Sequence, residues 1–228
     1  MYACRSVRAL IAVMLCVCAN LAYAGAEEVS IIIPNTEIPP GGDTVFLEVD
    51  QFDPSGGRIL QRIDFDLVID FSGTMGFENL DPDRATTFEL ALFWGLELWD
   101  PDPNEPELLI ELDALRVVRG LVDPFDGEID FGGFSGVTFD VMVTDVGGLG
   151  EITDPKDFPP FEGTGTVLLP VTVGFEGTAE AGNTDLFIAE FWDVAFEGEL
   201  TVTYTYIPEP VMTGWLLLAG FALLRRRR

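Results

Sequence analysis

The sequence predicts an all-β fold, a β-sandwich of about eight or nine strands with a jelly roll as one way of arranging them. Two patterns carry that expectation. Apolar residues recur with period two, and clusters of Gly and Pro interrupt the periodic runs at short intervals. Alternation turns one face of a strand toward a core and the other toward water, while Gly and Pro supply turn geometry. A third observation excludes disorder: hydrophobic residues make up 48% of the 228-residue chain and aromatic residues 11%.

The elements follow in chain order. Residues 29–33 and 44–49 are the first two candidates. In residues 63–70, Ile63, Phe65, Leu67 and Ile69 alternate with Asp64, Asp66, Val68 and Asp70. Over residues 87–98 the row Phe88, Leu90, Leu92, Trp94, Leu96 and Leu98 argues for strand despite its helix-friendly leucines. Residues 107–119 are balanced between helix and strand: Leu108, Leu112 and Leu115 share a helical face that Gly120 would end. Val137, Phe139, Val141 and Val143 stand against Thr138, Asp140, Met142 and Thr144. Residues 166–175 and 184–196 come next. In the last run Leu200, Val202, Tyr204 and Tyr206 alternate with Glu199, Thr201, Thr203 and Thr205. The turns between these runs include Pro39-Pro40-Gly41-Gly42, Pro54-Ser55-Gly56-Gly57, Gly132-Gly133, Gly147-Gly148 and Pro159-Pro160. No internal repeat appears, which weighs against a solenoid or propeller.

Both ends of the chain read as addresses. Arg5 and Arg8 open a basic start, residues 9–19 are apolar, and Ala22-Tyr23-Ala24 offers small residues for cleavage after Ala24. That is the pattern of a secretory signal peptide over residues 1–24. The other end reads Pro208-Glu209-Pro210, then fourteen uncharged residues, 211–224, then Arg225, Arg226, Arg227 and Arg228. As a helix those fourteen residues measure roughly 21 Å. A hydrocarbon core is about 30 Å thick, so the segment barely spans it. The arginines would hold this end on the cytoplasmic side while the signal peptide sends the body outward.

Residues 208–228 closely resemble the PEP-CTERM sorting signal of exported bacterial proteins. The resemblance rests on Pro208, Glu209, Pro210, the apolar segment and Arg225 to Arg228, and it covers only that tail. It implies a Gram-negative bacterium that makes exopolysaccharide. It also implies processing near the motif by a membrane-embedded, transpeptidase-like exosortase, after export through signal peptidase and the secretion machinery. The bodies of that family differ widely, so the resemblance says nothing about residues 25–207.

The body's composition excludes several chemistries. Cys4, Cys16 and Cys18 all lie in the signal peptide, so the body has no disulfide, thiolate metal site or cysteine nucleophile. Histidine is absent from the whole chain, which removes a Ser-His-Asp triad and histidine-ligated metals. Six basic residues against thirty-eight acidic ones leave residues 25–207 with a formal charge of −32. Such a surface repels nucleic-acid backbones, and its self-repulsion is relieved by salt or divalent cations.

Two strings point toward specific chemistry. Glu128-Ile129-Asp130 resembles part of the strand motif of laminarinase-like retaining glycoside hydrolases. Those enzymes need two carboxylates about 5–5.5 Å apart. Gly132 and Gly133 stand where the second glutamate belongs, so no catalytic residue is assigned. Asp100, Asp102 and Asn104 place oxygen donors at alternate positions, as calcium loops do, with residues 81–83 and 123–128 as weaker versions. Trp94, Trp99 and Trp192 are the body's tryptophans. Trp94 reads as core, and Trp99 is the better candidate for the surface.

The sequence as a whole predicts a non-enzymatic exported protein of the cell surface or matrix, structural or adhesive in an exopolysaccharide layer. A carbohydrate-binding module or carboxylate-based glycan hydrolase is the competing class, and a permanently membrane-tethered periplasmic protein is the third. The charge and the 100–104 loop generate one prediction. Salt should raise the melting temperature, and calcium should raise it further than sodium chloride of matched ionic strength. Equal melting curves at matched ionic strength would remove the calcium site.

Overall fold

The computed structural model describes residues 24–102 and 106–208, which form eight strands in two four-stranded antiparallel sheets. They are β1 (Gly25–Glu37), β2 (Asp43–Asp50), β3 (Ile59–Asn79), β4 (Thr86–Trp99), β5 (Leu108–Val122), β6 (Gly136–Ile152), β7 (Thr166–Ala181) and β8 (Phe187–Ile207). One sheet has the order β1-β8-β3-β6 and the other β2-β7-β4-β5. The pairings β1–β8, β2–β7, β3–β6 and β4–β5 are nested and all antiparallel. The chain is therefore one long ribbon, folded back at the β4–β5 hairpin and rolled into two layers. This winding is the jelly roll.

The predicted alternation decides which side chains fill the gap between the layers. Ile63, Phe65, Leu67 and Ile69 are buried, as are Phe88, Leu90, Leu92, Trp94, Leu96 and Leu98. Aromatic rings join the sheets: Phe71 stacks on Trp94 with centroids 5.9 Å apart, and Phe77 on Phe88 at 4.9 Å. Each such side chain contributes roughly 1.5–3 kcal/mol on burial. With no disulfide in the body, this layer carries the fold.

Residues 107–119 resolve in favour of strand. β5 pairs along β4 from Thr86↔Val122 to Trp99↔Leu108, so its neighbour, not its leucine spacing, sets its conformation. The runs 184–196 and 199–206 belong to one strand, which brings the number to eight. They read as two because Asp193, with φ 53°, sits at a bulge where the register against β3 shifts. Inward positions are even from Val194 to Tyr204 but odd at Phe187 and Phe191. A second bulge at Asp145 (φ 58°) shifts the phase of β6, and Asp70 Oδ1 accepts the Asp145 N–H at 2.8 Å.

Both ends of the ribbon finish at one end of the first sheet, where Gly25 of β1 pairs with Tyr206 of β8. Arg58 ties this corner together. Its guanidinium lies 4.6 Å from the Phe52 ring centroid and 5.1 Å from that of Tyr206, and it pairs with Glu27 at 2.7 Å. Nearby, the fully buried Tyr204 donates its hydroxyl to the Asp50 carbonyl at 2.9 Å, linking β8 in one sheet to β2 in the other. Burial pushes the Tyr204 phenol pKa upward. Tyr204→Phe should therefore lower stability by about 1 kcal/mol, read as a shifted denaturant midpoint with an unchanged slope.

Candidate functional site

The sequence-predicted residues fall in several places. Ala24 is exposed immediately before β1, and Pro208 is half-buried immediately after β8. Ala22, Asn104, Glu209, Pro210, Arg225, Arg226, Arg227 and Arg228 lie outside the described residues, as does the apolar segment 211–224. Among the described residues no helix is long and apolar enough to cross a membrane.

Asp100 is buried at the base of the β4–β5 hairpin. Its Oδ1 accepts the backbone N–H of Asp102 at 3.1 Å and of Glu107 at 3.2 Å, while its own N–H donates to the Glu107 carbonyl at 2.9 Å. The carboxylate thus closes a loop that returns β4 into β5. Asp81 and Asp126 do similar local work, accepting the N–H of Asp83 and Glu128 respectively. The Glu128 N–H holds the Asp126 carboxyl below its ordinary pKa. Among the described residues no three carboxylates converge in the manner of a metal centre.

Glu128 and Asp130 do not lie on a strand. They occupy the exposed loop between β5 and β6, and Asp130 Oδ1 caps the Gly132 N–H at 2.8 Å. The alternating strand face that the hydrolase motif requires is not formed, because the glycines after it turn the chain. The loop instead folds back over the outer face of the first sheet. Phe131 packs against Trp192 with centroids 5.7 Å apart, and both rings lie over Gly76. Beneath the loop, the fully buried Glu78 accepts the Phe131 N–H at 2.9 Å through Oε2, while its Oε1 has no partner. Trp192 is thus a half-buried piece of this contact, Trp99 is half-buried, and Trp94 is core.

The outer face of the second sheet carries a different feature, which the sequence reading missed. A trough of about 990 Å³ crosses β7, β4 and β5. Gly174 and Gly95 are paired at its floor, and Asp113 is paired with Gly95 on the far side. One wall is Phe93 with Leu115 and Glu176, and the other is Glu97 with Glu111 and Thr172. Asp43 and Thr44 close one end. Five carboxylates and no basic side chain line it. The signal was present as glycines inside strand runs, but only the register sets Gly95 beside Gly174.

No protein-family model matches the chain, and no curated protein matches it at a significant level. Solved structures similar to it include that of the infectious bursal disease virus Gx strain, at 11% identity and a TM-score of 0.17, covering 83% of this chain and 44% of that one. Another is the VP2 subviral particle of infectious bursal disease virus, at 11% identity and a TM-score of 0.15, covering 89% of this chain and 49% of that one. The chain spans less than half the length of either. At these scores the likeness carries no argument about function.

The Glu78 contact generates a prediction about stability. Glu78→Ala leaves the Phe131 N–H without its acceptor and should cost about 1–3 kcal/mol. Glu78→Gln keeps an acceptor oxygen and removes a carboxyl whose second oxygen is unpaired, so its melting temperature should equal or exceed that of the parent.

Proposed function

We propose that this chain is a non-enzymatic, exported protein of the bacterial cell surface or extracellular matrix, delivered by its PEP-CTERM-like tail. Its body serves as a structural or adhesive part of an exopolysaccharide layer. The tail carries the reading: Pro208-Glu209-Pro210, the short apolar segment and Arg225 to Arg228 stand in the order of that sorting signal. The pairing of Gly25 with Tyr206 adds support, because it puts the attachment points of both terminal signals side by side. A body tethered at one corner can face away from the membrane from either end, and Pro208 follows β8 with no intervening stalk. The absence of cysteine and histidine from the body accords with a binding or structural role.

A glycan-binding body is the second reading, and the trough favours it. The trough is an open groove with an apolar wall and polar groups around it, the combination found in ligand clefts.

Mass spectrometry of the mature protein tests delivery. Material released from the membrane should end near the Pro208 motif and lack Arg225 to Arg228, and deletion of residues 208–228 should abolish sorting. Released protein that retains the four arginines, or unchanged localisation after the deletion, would overturn the reading.

A further inference from the structure

We propose that the trough on the outer face of the second sheet binds a polysaccharide bearing protonated amines, which lies across the glycine floor between carboxylates and an apolar wall. The inference rests on the glycan-binding reading and is independent of the export reading.

The floor supplies the first argument. Glycine inside a strand costs roughly 0.5–1 kcal/mol relative to alanine, so its presence calls for a cause. At most other strand glycines the cause is crowding, and the uncrowded Gly147 follows directly on the Asp145 bulge. A Cβ on Gly76 would come within 2.6 Å of Trp192, one on Gly120 within 2.6 Å of Phe88, and one on Gly148 within 2.5 Å of Ile110. Gly95 and Gly174 differ. Their nearest neighbours would be Asp113 Oδ1 at 3.6 Å and Gly42 Cα at 3.9 Å, both ordinary contacts. Neither has a positive φ, and no bulge interrupts the β4–β7 register. Packing and backbone geometry therefore leave both glycines unexplained. Close approach of a flat ligand to the strand backbone explains them.

Charge supplies the second argument. Glu97 and Glu111 stand directly opposite each other, and Asp113 is two residues from Glu111 along β5. Like charges in that position destabilise a sheet. Among the described residues, no hydrogen bond or ion pair engages the side chains of Glu97, Glu111, Asp113 or Glu176. Ammonium groups on a ligand would cancel this repulsion, and its hydroxyls would donate to the same oxygens. On the other wall, Phe93 is 43% exposed and Leu115 is 49% exposed, offering an apolar surface to the C–H face of a sugar ring. Phe93 and Glu97 are four residues apart on one strand, so the walls stand about 13 Å apart at their backbones.

Other occupants fit less well. An extended peptide binds by adding to a free sheet edge, whereas β4 and β7 are both flanked by paired neighbours and the edge strand β5 packs along β6. A single metal ion needs converging oxygens, which the described residues do not form.

The test uses the full chain in non-ionic detergent at physiological salt, titrated calorimetrically with a β-1,4-linked glucosamine hexamer. Its N-acetylated counterpart and hexalysine serve as controls. Saturable binding of the glucosamine hexamer is expected, at least tenfold tighter than either control. Gly95→Val and Gly174→Val, which keep every charge, should each weaken it at least tenfold while the melting temperature holds or rises. Glu97→Gln combined with Glu111→Gln should weaken it similarly. Equal binding of hexalysine, undiminished by the valines, would reduce the effect to general attraction between a polyanion and a polycation and overturn the proposal. Equal binding of the N-acetylated hexamer, lost in the valine variants, would overturn the amine requirement but leave a glycan site. No saturable binding of either sugar would overturn both.

Discussion

The apolar layer between the two sheets is the interaction on which this molecule depends. Thirty-eight carboxylates in the body repel one another, and no cysteine is available to staple it. Cohesion comes from strands that each commit one face to the interior. The outward positions of β3, Asp64, Asp66 and Asp70, show the division: charge sits on one side of the strand, and Phe65, Leu67 and Ile69 on the other. The Phe71–Trp94 and Phe77–Phe88 stacks cross the gap, so the sheets are held by contacts that salt and pH leave largely untouched.

The winding that creates this layer also distributes the surfaces. Nesting the ribbon brings β1 and β8 together at the chain's two ends, and Arg58 locks that corner through Glu27, Phe52 and Tyr206. It leaves two outer faces of unlike character. The 123–135 loop packs over part of the first sheet, fixed by the Glu78–Phe131 hydrogen bond and the Phe131–Trp192 contact. The second sheet has its trough, where paired glycines lower the floor and carboxylates rise on either side. This acidic body thus has one surface with a shape as well as a charge.

Several local patterns in the sequence have uses that only the folded chain shows. Oxygen donors at alternate positions in the β4–β5 loop resemble a calcium ligand set, and Asp100 also accepts the N–H groups of Asp102 and Glu107 through Oδ1. The same alternation serves a tight turn as well as an ion, and sequence does not separate the two uses. Glu128 and Asp130 alternate like strand residues, but the glycines that follow release the chain into a loop. The bulge at Asp145 shifts the inward phase within β6, and the one at Asp193 does so within β8, making that single long strand look like two shorter ones.

By itself, the sequence determined the all-β class, the inward face of most strands, the core position of Trp94 and the tripartite form of the tail. These follow from short-range facts: period-two alternation, residue volume, and the order of proline, apolar and basic segments. Tertiary structure decided the conformation of residues 107–119, the merging of β8, the role of Asp100 and the existence of the trough. Gly95 and Gly174 are far apart in the chain and become one floor only when β4 and β7 align in register. Strand pairing is a long-range choice, and a site assembled from it has no local signature to read.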